Sequence, residues 1–114
     1  MSEERRAARR YALWIPVQLA SGPELRMLAV SRNISWSGAL MIAGASVEVG
    51  EEVELTLSLP GGGEDRALKG EIIRVETNDE DPDGLWRYRI AVKFAEAVPE
   101  LEPAFEALEA RTRG

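Results

Sequence analysis

The chain has 114 residues, a formal net charge of −6, and neither cysteine nor histidine. We expect one domain with a modest core, without disulfides, thiolate metal sites or the most common acid–base catalysts. The acidic total argues against a protein that coats DNA or RNA. Its apolar runs are far too short to span a bilayer and its first residues are charged, so we expect a cytoplasmic protein with no membrane insertion.

Positive charge is concentrated at the start of the chain. The first forty residues hold six arginines and three glutamates, a local charge of +3, which leaves −9 for the remainder. We interpret residues 1–10 as a flexible arm that would attract an anion. A solvated arginine run that keeps a terminus soluble is an equally simple explanation. Within the arm, Arg6 and Arg10 stand four residues apart, and Arg5 and Arg9 repeat that spacing.

From Tyr11 onward, apolar and polar residues alternate, which is typical of a strand with one buried face. Pro16 in this run indicates an edge or a bulge, and we interpret Trp14 and Trp86 as packing residues. Further strands are predicted at 25–30, 39–42, 53–59, 67–76 and 88–94, the last two forming a hairpin across the acidic loop 78–84. Short strands at this spacing favour a closed barrel or a compact sandwich.

The last part of the chain changes period. Val98, Leu101, Phe105 and Leu108 recur at helical spacing, which predicts an amphipathic helix within residues 98–114. We expect this helix to close one end of the barrel. A helix that binds a partner is the alternative.

A second polar segment, residues 31–38, lies between the second and third predicted strands. Asn33 and Ser35 have short side chains that can hydrogen-bond a ligand or their own backbone. Gly38 permits a positive φ or the close approach of another group. By itself the segment is better explained as an ordinary Asx or Ser turn.

The two polar segments together are more specific than either alone. Arg6-x-x-x-Arg10, then Pro16-Val17, then Asn33-x-Ser35-x-x-Gly38 resembles the paired signature of the PilZ family. The resemblance continues through Gly38-Ala39-Leu40, residues 68–75 and the Ile90–Phe94 run, and it covers most of the chain.

This resemblance implies a six-stranded antiparallel β-barrel over residues 11–97, followed by a C-terminal helix and tail over 98–114. It implies a receptor for the bacterial second messenger cyclic di-GMP, not an enzyme, with no further cofactor and no metal. Arg6 and Arg10 would grip phosphate and guanine, Asn33 and Ser35 would hydrogen-bond the opposite side of the nucleotide, and Gly38 would keep the loop close to the barrel. Candidates for further contacts are Arg5, Arg9, Arg32 and Trp36; the indole would stack on a base, cover a partner or anchor the loop.

The ligand is expected to order the arm and thereby create a new surface. The signal would pass to an unknown protein partner or through a homodimer. A PilZ-like adaptor that binds protein and ignores the nucleotide is the alternative. An oligonucleotide-binding barrel is disfavoured by the acidic total and the lack of an aromatic and basic face. An enzyme is the least supported option, because the carboxylates fall mainly in loops, at strand edges and on the helix surface.

Overall fold

The computed structural model describes residues 9–59 and 65–113. Six antiparallel strands form a closed barrel in the order β1-β2-β3-β6-β5-β4, and a short 3-10 helix and one α-helix follow them. The predicted fold is confirmed. The strands are β1 Pro16–Ser21, β2 Leu25–Ile34, β3 Gly38–Ala43, β4 Glu52–Leu57, β5 Arg66–Thr77 and β6 Tyr88–Phe94; the 3-10 helix is Pro99–Leu101 and α1 is Glu102–Arg113.

The barrel core follows the alternation that the sequence shows. From Tyr11 to Leu19, every second side chain is buried and those between are exposed. The hydrogen-bonded ladder begins only at Pro16, while Tyr11 forms an isolated bridge with Ile34. Pro16 is the first residue of β1, where proline is tolerated, and it pairs with Val30. Because the barrel closes through β1 and β4, Pro16 marks no sheet edge.

The prediction that residues 31–38 form a loop was wrong for its first half. β2 continues through Ile34, and Ser31 is a fully buried polar residue within it. The Ser31 hydroxyl donates to the carbonyl of Leu13 and accepts a hydrogen bond of 2.8 Å from the N–H of Ile15. These two hydrogen bonds satisfy the buried hydroxyl. A serine whose sequence context is typical of a turn is therefore accommodated inside a strand.

The predicted C-terminal helix is present, and α1 packs against the barrel core. Phe105 is fully buried, and its ring centroid lies 5.8 Å from that of Tyr11. The Tyr11 hydroxyl donates to Glu102 at 3.0 Å and lies 3.4 Å from Glu106. Burial, followed by the hydrogen bond to Glu102, raises the pKa of Tyr11 above its ordinary value. The helix is thus anchored through the residue that directly follows Arg10.

Candidate functional site

Arg10 and Asn33, which belong to the two polar segments, are in direct contact. Arg10 Nη1 donates to Asn33 Oδ1 over 2.7 Å, although the residues are 23 positions apart in sequence. Paired backbone bonds between Tyr11 and Ile34, of 2.8 and 2.9 Å, fix this approach. Each bonded residue directly follows one member of the Arg10–Asn33 pair, so the backbone itself brings the two side chains together.

A β-bulge in β2 determines where Asn33 points. The register with β3 shifts between Ser31 and Asn33, so that two successive residues, Arg32 and Asn33, are partly exposed between the buried Ser31 and Ile34. Bulges re-aim side chains in this way. Asn33 therefore lies on the outer surface of the barrel, where it accepts the hydrogen bond from Arg10.

Arg32, the other residue of this bulge, is engaged on both sides. Its guanidinium lies 5.2 Å from the ring centroid of Trp14 and 3.1 Å from Glu80 of the acidic loop. Trp14 itself is 63% exposed. The interpretation of Trp14 as a packing residue was wrong, because Trp14 occupies the outward side of the alternation, where its indole forms a cation–π contact with Arg32.

Ser35 shapes the turn between β2 and β3. Its side chain is 1% exposed, and its Oγ accepts hydrogen bonds from the N–H groups of Ser37 and Gly38, at 3.1 and 3.3 Å. The Ser35 N–H donates to the Gly38 carbonyl at 2.9 Å. In this conformation the hydroxyl bonds the backbone of the turn, one of the two roles that the sequence left open, whereas the family resemblance implied a contact with the nucleotide.

Position 38 requires a glycine because its backbone lies very close to β6. A Cβ built on Gly38 would lie 2.5 Å from the Val92 carbonyl oxygen, which is closer than real Cβ atoms approach. Positive φ angles occur among the described residues at Gly22 and Gly50 and not at Gly38. Of the two roles considered for this glycine, close approach is the one that applies.

Trp36 anchors the turn to the start of the C-terminal helical region. Its ring is partly buried against the core, and its carbonyl accepts a 2.8 Å hydrogen bond from the Val98 N–H. The neighbouring Ser37 carbonyl accepts another, of 2.9 Å, from Phe94. This placement of Trp36 favours the loop anchor over an exposed indole that stacks on a base or covers a partner.

Arg9, the other arginine in the described part of the arm, contacts helix α1. Arg9 Nη2 lies 2.7 Å from Glu109 Oε1, and the guanidinium lies 4.5 Å from the Tyr11 ring centroid. Arg9 is thus placed beside Arg10 but turned toward α1. Arg5 and Arg6, the other predicted arginines, lie outside the described residues, as does most of the predicted arm over residues 1–10.

A groove of about 220 Å³ lies on the outer surface between Arg10 and β5. Arg10 and Asn33 line one side and Ile73 and Arg74 the other, with Leu40 and Ala91 between them. Sequence reasoning missed Arg74. The sequence gives one weak indication of the bulge that exposes Arg74. Ile72 and Ile73 are consecutive apolar residues in an otherwise alternating strand, a pattern that a bulge can explain.

A larger groove, of about 660 Å³, lies elsewhere on the barrel. Its charged lining residues are balanced, three basic and three acidic: Arg26, Lys69, Lys93, Glu52, Glu54 and Glu71. Such a lining offers no net attraction for an anion. The smaller groove, with arginines on two sides, is the better candidate for an anionic ligand in spite of its size.

The PilZ domain family model matches residues 4–109. The chain belongs to the PilZ family. This match spans both polar segments, all six strands and most of α1, and it confirms the resemblance seen in the sequence. PilZ domains are regulatory receptor or adaptor domains. No curated protein matches the sequence.

Solved PilZ structures share the fold. The PilZ domain of YcgR from Escherichia coli, with c-di-GMP, has a TM-score of 0.71 at 14% identity, covering 96% of this chain and 95% of that one. The PilZ domain of CeSA from a cellulose-synthesizing bacterium has a TM-score of 0.60 at 20% identity, covering 93% and 99%. The Bacillus subtilis inhibitor of motility MotI/DgrA has a TM-score of 0.64 at 22% identity. That match covers 94% of this PilZ chain but only about half, 49%, of the MotI chain.

The described part of this PilZ chain contains neither a metal-binding cluster nor a membrane-spanning helix. Among residues 9–59 and 65–113, no group of three or more His, Cys, Asp or Glu side chains is arranged to hold a metal ion. Within the same ranges, no helix combines the length and apolar character needed to cross a membrane.

Proposed function

We propose that this chain is a receptor for cyclic di-GMP that binds the nucleotide on the outer surface of the barrel, between the two polar segments. The observation that carries the proposal is the 2.7 Å contact between Arg10 and Asn33. It brings a guanidinium and an amide from distant parts of the sequence to the edge of one groove. The PilZ domain of YcgR, which shares the fold, was solved with this nucleotide.

The chemistry of Arg10 suits a guanine nucleotide. Its planar fork of donors matches phosphate oxygens and the O6/N7 edge of guanine, and the face of the group can stack on a purine. Arg10 is exposed and needs only to exchange its bond with Asn33 for bonds to the ligand. Arg6, four residues earlier, is proposed to supply a second guanidinium.

Asn33 and the turn residues have different roles in this proposal. Asn33 is partly exposed, and it would contact the nucleotide through its side-chain amide. Ser35 is buried, and it acts by holding the Ser35–Gly38 turn in shape. Gly38 keeps that turn against β6. Arg9 and Arg32 would add phosphate contacts only by leaving Glu109 and Glu80, their present partners.

We propose that ligand binding is signalled to a partner through the contact between Arg9 and α1. Arg9 lies next to Arg10 and contacts Glu109, while Tyr11 contacts Glu102 and packs on Phe105. A ligand that draws Arg10 and its neighbours toward the groove changes the surface that these residues share with the helix. A protein partner, or a second copy of the chain, would recognise that change.

The direct test is a calorimetric titration of purified protein with cyclic di-GMP. Binding is expected, and an absence of heat at ~50 μM ligand would contradict the proposal. Arg10→Ala should weaken binding at least tenfold, about 1.4 kcal/mol, the size of one charged hydrogen bond. Arg26→Ala is the matched control, because Arg26 is an exposed arginine on β2 that lines the other groove. Equal affinity of the two variants would remove Arg10 from the site.

A protein adaptor that ignores the nucleotide is the second candidate function. Two large apolar side chains favour it, since Leu28 and Leu85 are 60% and 78% exposed. If a partner binds with the same affinity in the presence and absence of cyclic di-GMP, and the titration shows no nucleotide binding, the adaptor replaces the receptor.

A further inference from the structure

A second β-bulge lies opposite the one that carries Asn33. In β5, the register with β6 shifts between Ile72 and Arg74. Ile72 is fully buried, whereas Ile73 is 51% exposed and the Arg74 side chain is 61% exposed. The bulge therefore turns two successive side chains outward, as the bulge in β2 does for Arg32 and Asn33.

The two bulges lie at the ends of one row of paired residues. Asn33 pairs with Leu40, Leu40 with Ala91, and Ala91 with Arg74. The row crosses β2, β3, β6 and β5 and forms the floor of the groove beside Arg10. Three strand spacings separate Asn33 from Arg74, about 14 Å along the sheet. One arginine thus lies at each end of a floor whose middle is apolar.

Arg74 is free to engage a ligand. The acidic partner described for it is Glu76, with 3.7 Å between Nε and Oε2, and both side chains are more than half exposed. An exposed pair at this distance is weak, so an anion in the groove would compete for the guanidinium. The exposed Ile73 beside it offers apolar surface for the face of a base.

The geometry points to Arg74 and Ile73 as the far wall of the nucleotide site. Arg10 and Asn33 hold one end of the ligand, Leu40 and Ala91 underlie it, and Arg74 binds a phosphate or a guanine edge at the other end. This inference rests on the proposed function and adds residues that neither polar segment contains. It assigns the groove to an anion long enough to reach both arginines.

The test compares the affinity of wild type and three variants for cyclic di-GMP. Arg74→Ala is expected to weaken binding about tenfold relative to wild type, the usual effect of one lost charged hydrogen bond. Arg74→Glu should weaken it further, because it places a like charge against the phosphates. Lys69→Ala is the control: it removes one exposed positive charge from the same strand, five residues away and outside this groove. Lys69→Ala should bind like wild type.

The outcomes separate the inference from the function on which it rests. If wild type does not bind cyclic di-GMP, both fail. If wild type binds and Arg74→Ala has the same affinity as Lys69→Ala, the assignment of Arg74 to the site is wrong, whereas the proposed receptor function is unaffected. A denaturant titration of each variant checks that it is folded. Unchanged unfolding midpoints are expected because Arg74 is exposed. Ile73→Asp, which adds negative charge beside Arg74, should also weaken binding; unchanged affinity would exclude Ile73 from the wall.

Discussion

The two segments that meet at the groove are held in the protein in different ways. The turn segment, residues 34–38, has buried side chains at Ile34 and Ser35, and its backbone is bonded to Tyr11, Phe94 and Val98. The arginine segment, Arg9 and Arg10, is exposed, and its side-chain contacts are made by guanidinium groups. One half of the proposed site is therefore fixed when the barrel folds, and in the proposal the other half exchanges its partners for a ligand.

The largest effect is expected for a change inside the turn segment. In Gly38→Ala the new methyl group would collide with the Val92 backbone carbonyl at 2.5 Å, so β3 and β6 must move apart. We expect a loss of about 2 kcal/mol or more in the free energy of unfolding, as for an overpacked core. Urea unfolding measures it.

Gly22→Ala is the control for that substitution. Gly22 has a φ of 66° and no atom within 4 Å of a built Cβ, so alanine there carries a conformational cost alone. That cost is about 1 kcal/mol. If Gly38→Ala were no more harmful than Gly22→Ala, close packing would not be what fixes the turn segment.

Ser35→Ala tests the hydrogen bonds of the same turn. Loss of Oγ leaves the N–H groups of Ser37 and Gly38 without their acceptor in a largely buried place. The expected cost is about 1–2 kcal/mol of unfolding free energy, with weaker nucleotide binding as a consequence. Ser37→Ala, at a partly exposed neighbour, should cost clearly less. Equal losses would mean that Ser35 does not organise the turn.

Much of this architecture follows from local patterns in the sequence, and the exceptions have tertiary causes. The alternation after Tyr11, the β5–β6 hairpin and the apolar stripe of α1 were all predicted correctly because each is a periodic pattern. The strand through Ser31 was missed because Leu13 and Ile15, distant in sequence, satisfy its hydroxyl. Arg74 was missed for a similar reason, since only the register of four strands places it opposite Asn33.

Tyr11 joins the arginine segment to the helix, and it should make stability depend on pH. The raised pKa of Tyr11 means that the folded state favours the neutral phenol. Its contribution is complete below the ordinary value of about 10 and is lost as the pH rises through the higher folded-state pKa. Tyr11→Phe should cost about 1 kcal/mol at pH 8 through the lost hydrogen bond to Glu102.

The pH dependence distinguishes this role from simple packing. Between pH 9 and 11, wild type should lose more unfolding free energy than Tyr11→Phe, so that the gap between the two proteins narrows. Other alkaline groups titrate in both proteins and cancel in the difference. A constant gap across this range would show that the phenol proton does not contribute to the anchor.

The smallest effect is expected where the arginine segment meets α1. The Arg9–Glu109 ion pair is exposed at Arg9, so solvent and salt screen it. Arg9→Ala should leave the urea midpoint within error of wild type, in contrast to Ser35→Ala. The comparison between the segments depends on this contrast, because a segment that a ligand can recruit must be released at little cost. A destabilisation by Arg9→Ala as large as that of Ser35→Ala, persisting in 0.5 M salt, would make the arginine segment as fixed as the turn.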